Sequence, residues 1–69
     1  MERQRVDSFD IESIGYDQGS EILEIEFKSG SIYQYSGVPI GKFDDLMSAN
    51  SHGRYFNSHI KNDYGYRKI

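Results

Sequence analysis

The stretch Leu23-Glu24-Ile25-Glu26-Phe27-Lys28-Ser29-Gly30-Ser31-Ile32-Tyr33-Gln34-Tyr35 decides how this chain folds. Side chains along a strand alternate between two faces. Leu23, Ile25 and Phe27 therefore share one face of a strand, and Ile22, Glu24, Glu26 and Lys28 share the other. Tyr33 and Tyr35 share a face of the next strand. Lys28-Ser29-Gly30 is the turn between them, and its length sets which faces meet. A two-residue Ser29-Gly30 loop pairs Phe27 with Ile32 and puts both tyrosines on the charged face. A three-residue loop with Gly30 left-handed pairs Ile25 with Tyr33, Leu23 with Tyr35 and Glu26 with Ile32. Ser-Gly is a weaker two-residue turn than Asn-Gly, so the three-residue loop is preferred and the tyrosines belong on the apolar face. A slip of one residue reverses that result.

Upstream, Phe9 to Tyr16 reads as a first strand carrying Ile11, Ile14 and Tyr16, and its imperfect alternation points to a bulge. Asp17-Gln18-Gly19-Ser20 is a turn. Glu21 to Lys28 and Ser31 to Tyr35 are the second and third strands. Residues 1–7 are polar and read as a flexible terminus.

Downstream, Val38-Pro39 stops the sheet, and proline suits the start of a helix because no N–H partner is lost there. Ile40 to Ala49 follows, with Phe43, Leu46 and Met47 at helical spacing. Ser51 is an N-cap for a second helix over Ser51 to Lys61, whose apolar stripe is Phe56, Ile60 and Tyr64. Gly65 breaks the pattern, and Tyr66-Arg67-Lys68-Ile69 reads as a tail or a short strand. The expected architecture is α+β: a three-stranded antiparallel meander followed by two helices, β-β-β-α-α, in one domain over residues 8–69.

The chain has 69 residues, enough for one small domain with a modest core. It has no cysteine, so neither disulfides nor thiolate metal sites staple it. Its ten aromatics, six Tyr and four Phe, must supply much of the burial. No apolar run approaches a membrane span of ~18 residues. Met1-Glu2-Arg3-Gln4-Arg5 lacks an apolar signal core, so a cytoplasmic location is expected. The net charge of -3 conceals an asymmetry. Residues 1–49 hold ten acids and four bases, and residues 50–69 hold Arg54, Lys61, Arg67 and Lys68 against Asp63 alone. A basic C-terminal third on an acidic body can bind an anion locally, or simply solvate a helix and a tail.

In this order, the residues resemble the KTSC domain, a small bacterial module also found as a C-terminal extension of some lysyl-tRNA synthetases. The hallmark of that family is a central Tyr-x-Tyr, here Tyr33-Gln34-Tyr35. The similarity extends upstream through Ile14-Gly15-Tyr16-Asp17, Leu23, Phe27 and Gly30. Downstream it takes in Val38-Pro39, Ala49, Ser51, Gly53, Phe56-Asn57, Ile60 and Tyr64. It runs from about Ser8 to Ile69. The resemblance implies a module of undefined role, with RNA binding suggested by the synthetase context. It brings no catalytic or metal-binding residue.

The leading candidate site is Ser51-His52-Gly53-Arg54. A helix start presents unpaired N–H groups and partial positive charge. Gly53 allows close approach, and Arg54 offers a fork suited to phosphate. Asn57 and Lys61 continue at helical spacing, and Arg67 and Lys68 add charge. The bland alternative is a capped helix whose glycine permits tight packing. Tyr33, Tyr35, Tyr55 and Tyr66 are the candidate stacking residues. A fold without Trp or Cys needs aromatics inside, so core burial of the Tyr33 and Tyr35 rings is the competing expectation.

No enzyme is expected. His52 and His59 lie too far apart to share a metal and are expected in solvent. Asp44 and Asp45 are read as dipole-complementing acids near a helix start, with no companion base or nucleophile. There is no phosphate-cradling loop and no nucleophile elbow. No cofactor is expected. Two readings follow: a non-enzymatic RNA-binding module, or a protein-interaction module or small homo-oligomer that uses Ile22 and Ile32 on the nominally polar sheet face.

Overall fold

The decisive register is set by a three-residue loop. In a computed structural model describing residues 1–69, Ile25 lies opposite Tyr33, Leu23 opposite Tyr35 and Glu26 opposite Ile32. The Phe27 N–H donates to the Ser31 carbonyl at 2.9 Å, which closes the loop around Lys28, Ser29 and Gly30. Gly30 has φ +98°, the left-handed conformation that glycine adopts without a Cβ penalty. Both tyrosines therefore share the face of Leu23 and Ile25.

The sheet is larger than the sequence suggests. Five strands form an antiparallel meander in the order β1 to β5. These are β1 (Arg3–Arg5), β2 (Ile11–Asp17), β3 (Ile22–Phe27), β4 (Ile32–Tyr35) and β5 (Tyr66–Lys68). Three strands was an undercount. The N-terminal segment, expected to fray, supplies β1, and the C-terminal segment forms β5 beside β4. β1 has three residues and no apolar alternation, so hydrophobic patterning cannot reveal it, whereas β5 is the short-strand alternative that Tyr66–Ile69 offered. Two helices, α1 (Ile40–Ser48) and α2 (His52–His59), lie between β4 and β5 in the chain.

β2 carries the expected bulge. Ile11 pairs with Phe27 and Ser13 with Glu26, leaving Glu12 as the extra residue. That shift lets Ile11 and Ile14, three apart, both enter the core, where each is essentially inaccessible. The remaining buried apolar residues are Leu23, Ile25, Tyr35, Val38, Leu46, Phe56 and Ile60.

Aromatic rings fix the helices to the sheet. Phe56 of α2 wedges between Phe27 and Tyr35, with centroid separations of 5.7 and 5.2 Å. Tyr66 closes the other side of Tyr35 at 5.5 Å and meets Tyr33 at 5.6 Å. Each such pair adds roughly 0.5–1.5 kcal/mol beyond its burial. Tyr16 stacks on Phe43 of α1 at 4.7 Å, and its hydroxyl donates to the Val38 carbonyl at 2.6 Å. The helix-free face of the sheet is polar and aligns Arg3, Gly15, Glu24, Gln34 and Arg67 across all five strands. No helix is long and apolar enough to cross a membrane.

Candidate functional site

The start of α2 is an ordinary cap set against a turn. The Ser51 Oγ accepts the Arg54 backbone N–H at 3.2 Å. Gly53 faces the β1–β2 turn. A Cβ there would sit 3.7 Å from Ser8 Oγ and 3.8 Å from Asp10 Oδ2, ordinary contact distances. Tight packing therefore does not demand this glycine. Beside it lies a groove of ≈ 450 Å³ lined by Asp7, Asp10, His52, Arg54 and Asn57, among others. Two carboxylates thus stand across from the N–H groups that were expected to attract an anion.

A second groove of ≈ 430 Å³ continues along the same side of α2. Phe27 and Phe56 line it with Lys28, Asn57 and Lys61, and Asp10 is its one acid. Phe9, Asp10 and Asn57 belong to both grooves, so the two join along a single strip. Phe9 is 94% exposed and stands at the junction.

The predicted residues separate into two groups. Ser51, Gly53, Arg54, Asn57 and Lys61 lie along this strip. Arg67 does not, because it projects from the helix-free face, where its Nε and Nη2 donate to Gln34 Oε1 at 3.4 and 3.3 Å. Lys68 lies opposite Tyr33 at the β5 edge, and lines neither groove.

The tyrosines are mostly engaged with the protein itself. Tyr35 is 4% exposed and belongs to the core, so it offers no ring for stacking. Burial pushes its hydroxyl pKa up, with the neighbouring Tyr33 and Tyr66 adding to the effect. Tyr33 is half-buried against Phe27 and Tyr66. Tyr55 is half-buried, stacks on His59 at 4.5 Å and donates to Asp45 Oδ2 at 3.4 Å. Only Tyr66 is largely exposed, at the β5 edge.

Other expected residues also found structural roles. His52 is half-buried, not in solvent, with its Nδ1 2.8 Å from the Leu46 carbonyl. A carbonyl can only accept, so Nδ1 carries the proton. Asp44 and Asp45 lie in the middle of α1, whose first turn holds no acid. Ile22 and Ile32 are half-buried on the helix-free face.

Phe9 was missed in the sequence because its apolar side chain reads as the start of a strand. β2 begins only at Ile11, so Phe9 falls in the β1–β2 turn and stays outside the core. Lys28 was read only as a turn residue. The available signal was the Ser8-Phe9-Asp10 context, in which turn-forming residues flank the ring.

The KTSC domain profile matches residues 7–64. An uncharacterized protein of Stutzerimonas stutzeri is 41% identical over 70 residues, spanning 100% of this chain and 99% of its own length. A lysine–tRNA ligase of Nostoc punctiforme is 39% identical over 59 residues, which cover 86% of this chain and 10% of the ligase. The crystal structure of a KTSC domain protein from Yersinia pestis matches with a TM-score of 0.96 at 47% identity, covering 99% of this chain and 96% of that one.

Proposed function

This chain belongs to the KTSC domain family, and on that premise we propose that it is a non-enzymatic, cytoplasmic binding module whose ligand is RNA. One observation carries the reading. Of the four arginines, only Arg54 has a guanidinium without a protein partner. Arg3 is paired with Glu24 and Glu26, Arg5 with Glu12, and Arg67 donates to Gln34. Arg54 shares its side of α2 with Asn57, and Lys61, just past the end of the helix, lines the adjoining groove, also without an acidic partner within 4.0 Å. An uncommitted arginine in an otherwise paired set is available to phosphate. A relative named for tRNA carries this module in a small part of its length, which agrees with an RNA ligand.

Phosphate-driven binding weakens as salt rises, because counterions are released. The test is fluorescence anisotropy with a short single-stranded RNA at low and moderate salt, on the native chain and on Arg54→Ala. Binding that falls with salt and weakens in the variant is expected. No binding at low salt, or no effect of the substitution, rejects the reading.

The second reading, a protein-interaction module or small homo-oligomer, draws on the outer edges of β1 and β5, which pair with no further strand. Those edges carry Arg3, Arg5, Arg67 and Lys68. Arg3 and Arg5 are neutralised by Glu24, Glu26 and Glu12, but no acid pairs with Arg67 or Lys68, so like charges oppose pairing of copies through β5 and weaken the homo-oligomer alternative there. Light scattering that gives a monomer at high concentration would remove it.

A further inference from the structure

We propose that Phe9 and Lys28 complete a site for single-stranded RNA, with one unpaired base on the Phe9 ring and its flanking phosphates on Lys28 and Lys61. This rests on the RNA reading above and extends its site from Arg54 at the helix start into the second groove.

Three observations carry it. Phe9 is 94% exposed, whereas the other exposed large apolar residues, Met1, Ile40, Tyr66 and Ile69, range from 39% to 62%. Its turn is nevertheless braced. The Ser8 Oγ accepts the Ile11 N–H at 3.3 Å, and the Asp10 carbonyl accepts the Lys28 N–H at 2.8 Å. A ring held out on a fixed turn loses little freedom when a base settles on it. The two grooves beside it also differ in charge. The first sets one base, Arg54, against Asp7 and Asp10, so it offers a phosphate a single contact, at Arg54. The second sets Lys28 and Lys61 against Asp10 alone. A phosphodiester leading away from a base on Phe9 therefore runs favourably along the second groove.

The geometry also selects the strand state. A single ring on a turn tip can stack only on a base whose face is free, and bases inside a duplex are already covered. The ligand is thus an unpaired strand.

The experiment compares a short single-stranded RNA with its duplex, by anisotropy across a salt series, on the native chain, Phe9→Ala and Lys28→Ala. Thermal melts first establish that Phe9→Ala is folded, as its exposure predicts. Single-strand preference is expected. Phe9→Ala should lose about 5-fold or more in affinity at an unchanged salt slope. Lys28→Ala should reduce the slope by roughly 0.7. If the native chain binds but Phe9→Ala binds equally well, or the duplex binds as tightly as the strand, this inference is overturned while the RNA reading stands. If the native chain binds neither RNA, both fail. If light scattering shows a native oligomer that Phe9→Ala dissociates, Phe9 serves a second copy of the chain and the single-strand assignment is wrong.

Discussion

The Arg3 guanidinium reaches across Gly15 to the Glu24 carboxylate, joining the first strand of the sheet to the third. The same side chain donates through Nε to Ser13 Oγ at 3.0 Å, and Ser13 donates to Glu26 Oε1 at 2.7 Å. Gln34 completes the row by donating to Glu24 Oε1 at 2.8 Å and accepting from Arg67. Glu24 is only 5% exposed, on a face that no helix covers. Charged and amide side chains themselves form its roof, and every buried polar atom in it has a partner.

Gly15 is the gap that makes this possible. A Cβ at that position would lie 2.8 Å from the Glu2 carbonyl and 2.9 Å from Arg3 Cγ. Gly15→Ala should push β1 away and cost roughly 1–3 kcal/mol. Urea unfolding reads the loss, and amide exchange should rise first at Arg3–Arg5. Unchanged protection in β1 would contradict the account.

The Glu24 carboxyl gives a pH dependence. Burial alone raises its pKa, but hydrogen bonds from Gln34 and Arg3, with the Arg3 charge, outweigh that and hold it below its ordinary value. A carboxyl lowered in the folded state contributes stability that is fully present above its unfolded pKa of ~4.3. That stability is lost as pH falls through the lower folded value. Melting temperatures from neutral pH downward should therefore fall in the acid range, and Glu24→Gln should flatten that limb. An identical acid limb in the variant would exclude Glu24 as a contributor.

Tyr16→Phe removes the hydroxyl that donates to the Val38 carbonyl while keeping the stack on Phe43. Val38 is fully buried, so its carbonyl would lose this donor without ready access to water. A loss of about 1–2 kcal/mol is expected by denaturant unfolding. A result within 0.3 kcal/mol of the native chain, a margin set at about a quarter of that range, would show that another donor replaces the hydroxyl.

Arg54 and Arg67 separate the two sides of the molecule. Arg54→Ala should weaken RNA binding and lower the salt slope by roughly 0.7. Arg67→Ala should leave affinity within about 2-fold, because Arg67 projects from the helix-free face and is held by Gln34. Equal losses in both variants, measured by anisotropy, would indicate diffuse attraction and no localised site.

The central hairpin was legible because its determinants are local. Alternation over Leu23–Phe27 and the loop at Gly30 fix the register, and burial of Tyr35 follows from it. The bulge in β2 and the Ser51 cap were legible for the same reason, since each shows in the spacing or type of neighbouring residues. Helix ends fell within two residues of expectation. β1 had no such signal, and β5 had only the ambiguous one of a tail or a short strand. β1 is held by Arg3 acting on Glu24, 21 residues away, and β5 by Tyr66 acting on Tyr33 and Tyr35.

The candidate site divides along the same line. Sequence spacing put Arg54 and Asn57 on one side of α2, because helical periodicity is a property of the segment itself, and Lys61, expected on the same helix, lies just past its end beside the second groove. It grouped Arg67 with them by charge alone, and the strand direction of β5 turned that side chain to the opposite face. The exposure of Phe9 and its place beside Lys28 and Lys61 were decided only when the β1–β2 turn, the β3–β4 loop and the end of α2 came together. The sequence by itself determined the periodic faces, the turn and the cap, since those depend on neighbours in the chain. Tertiary structure decided which polar groups found partners and which ring remained in water, since those depend on atoms that only folding brings within reach.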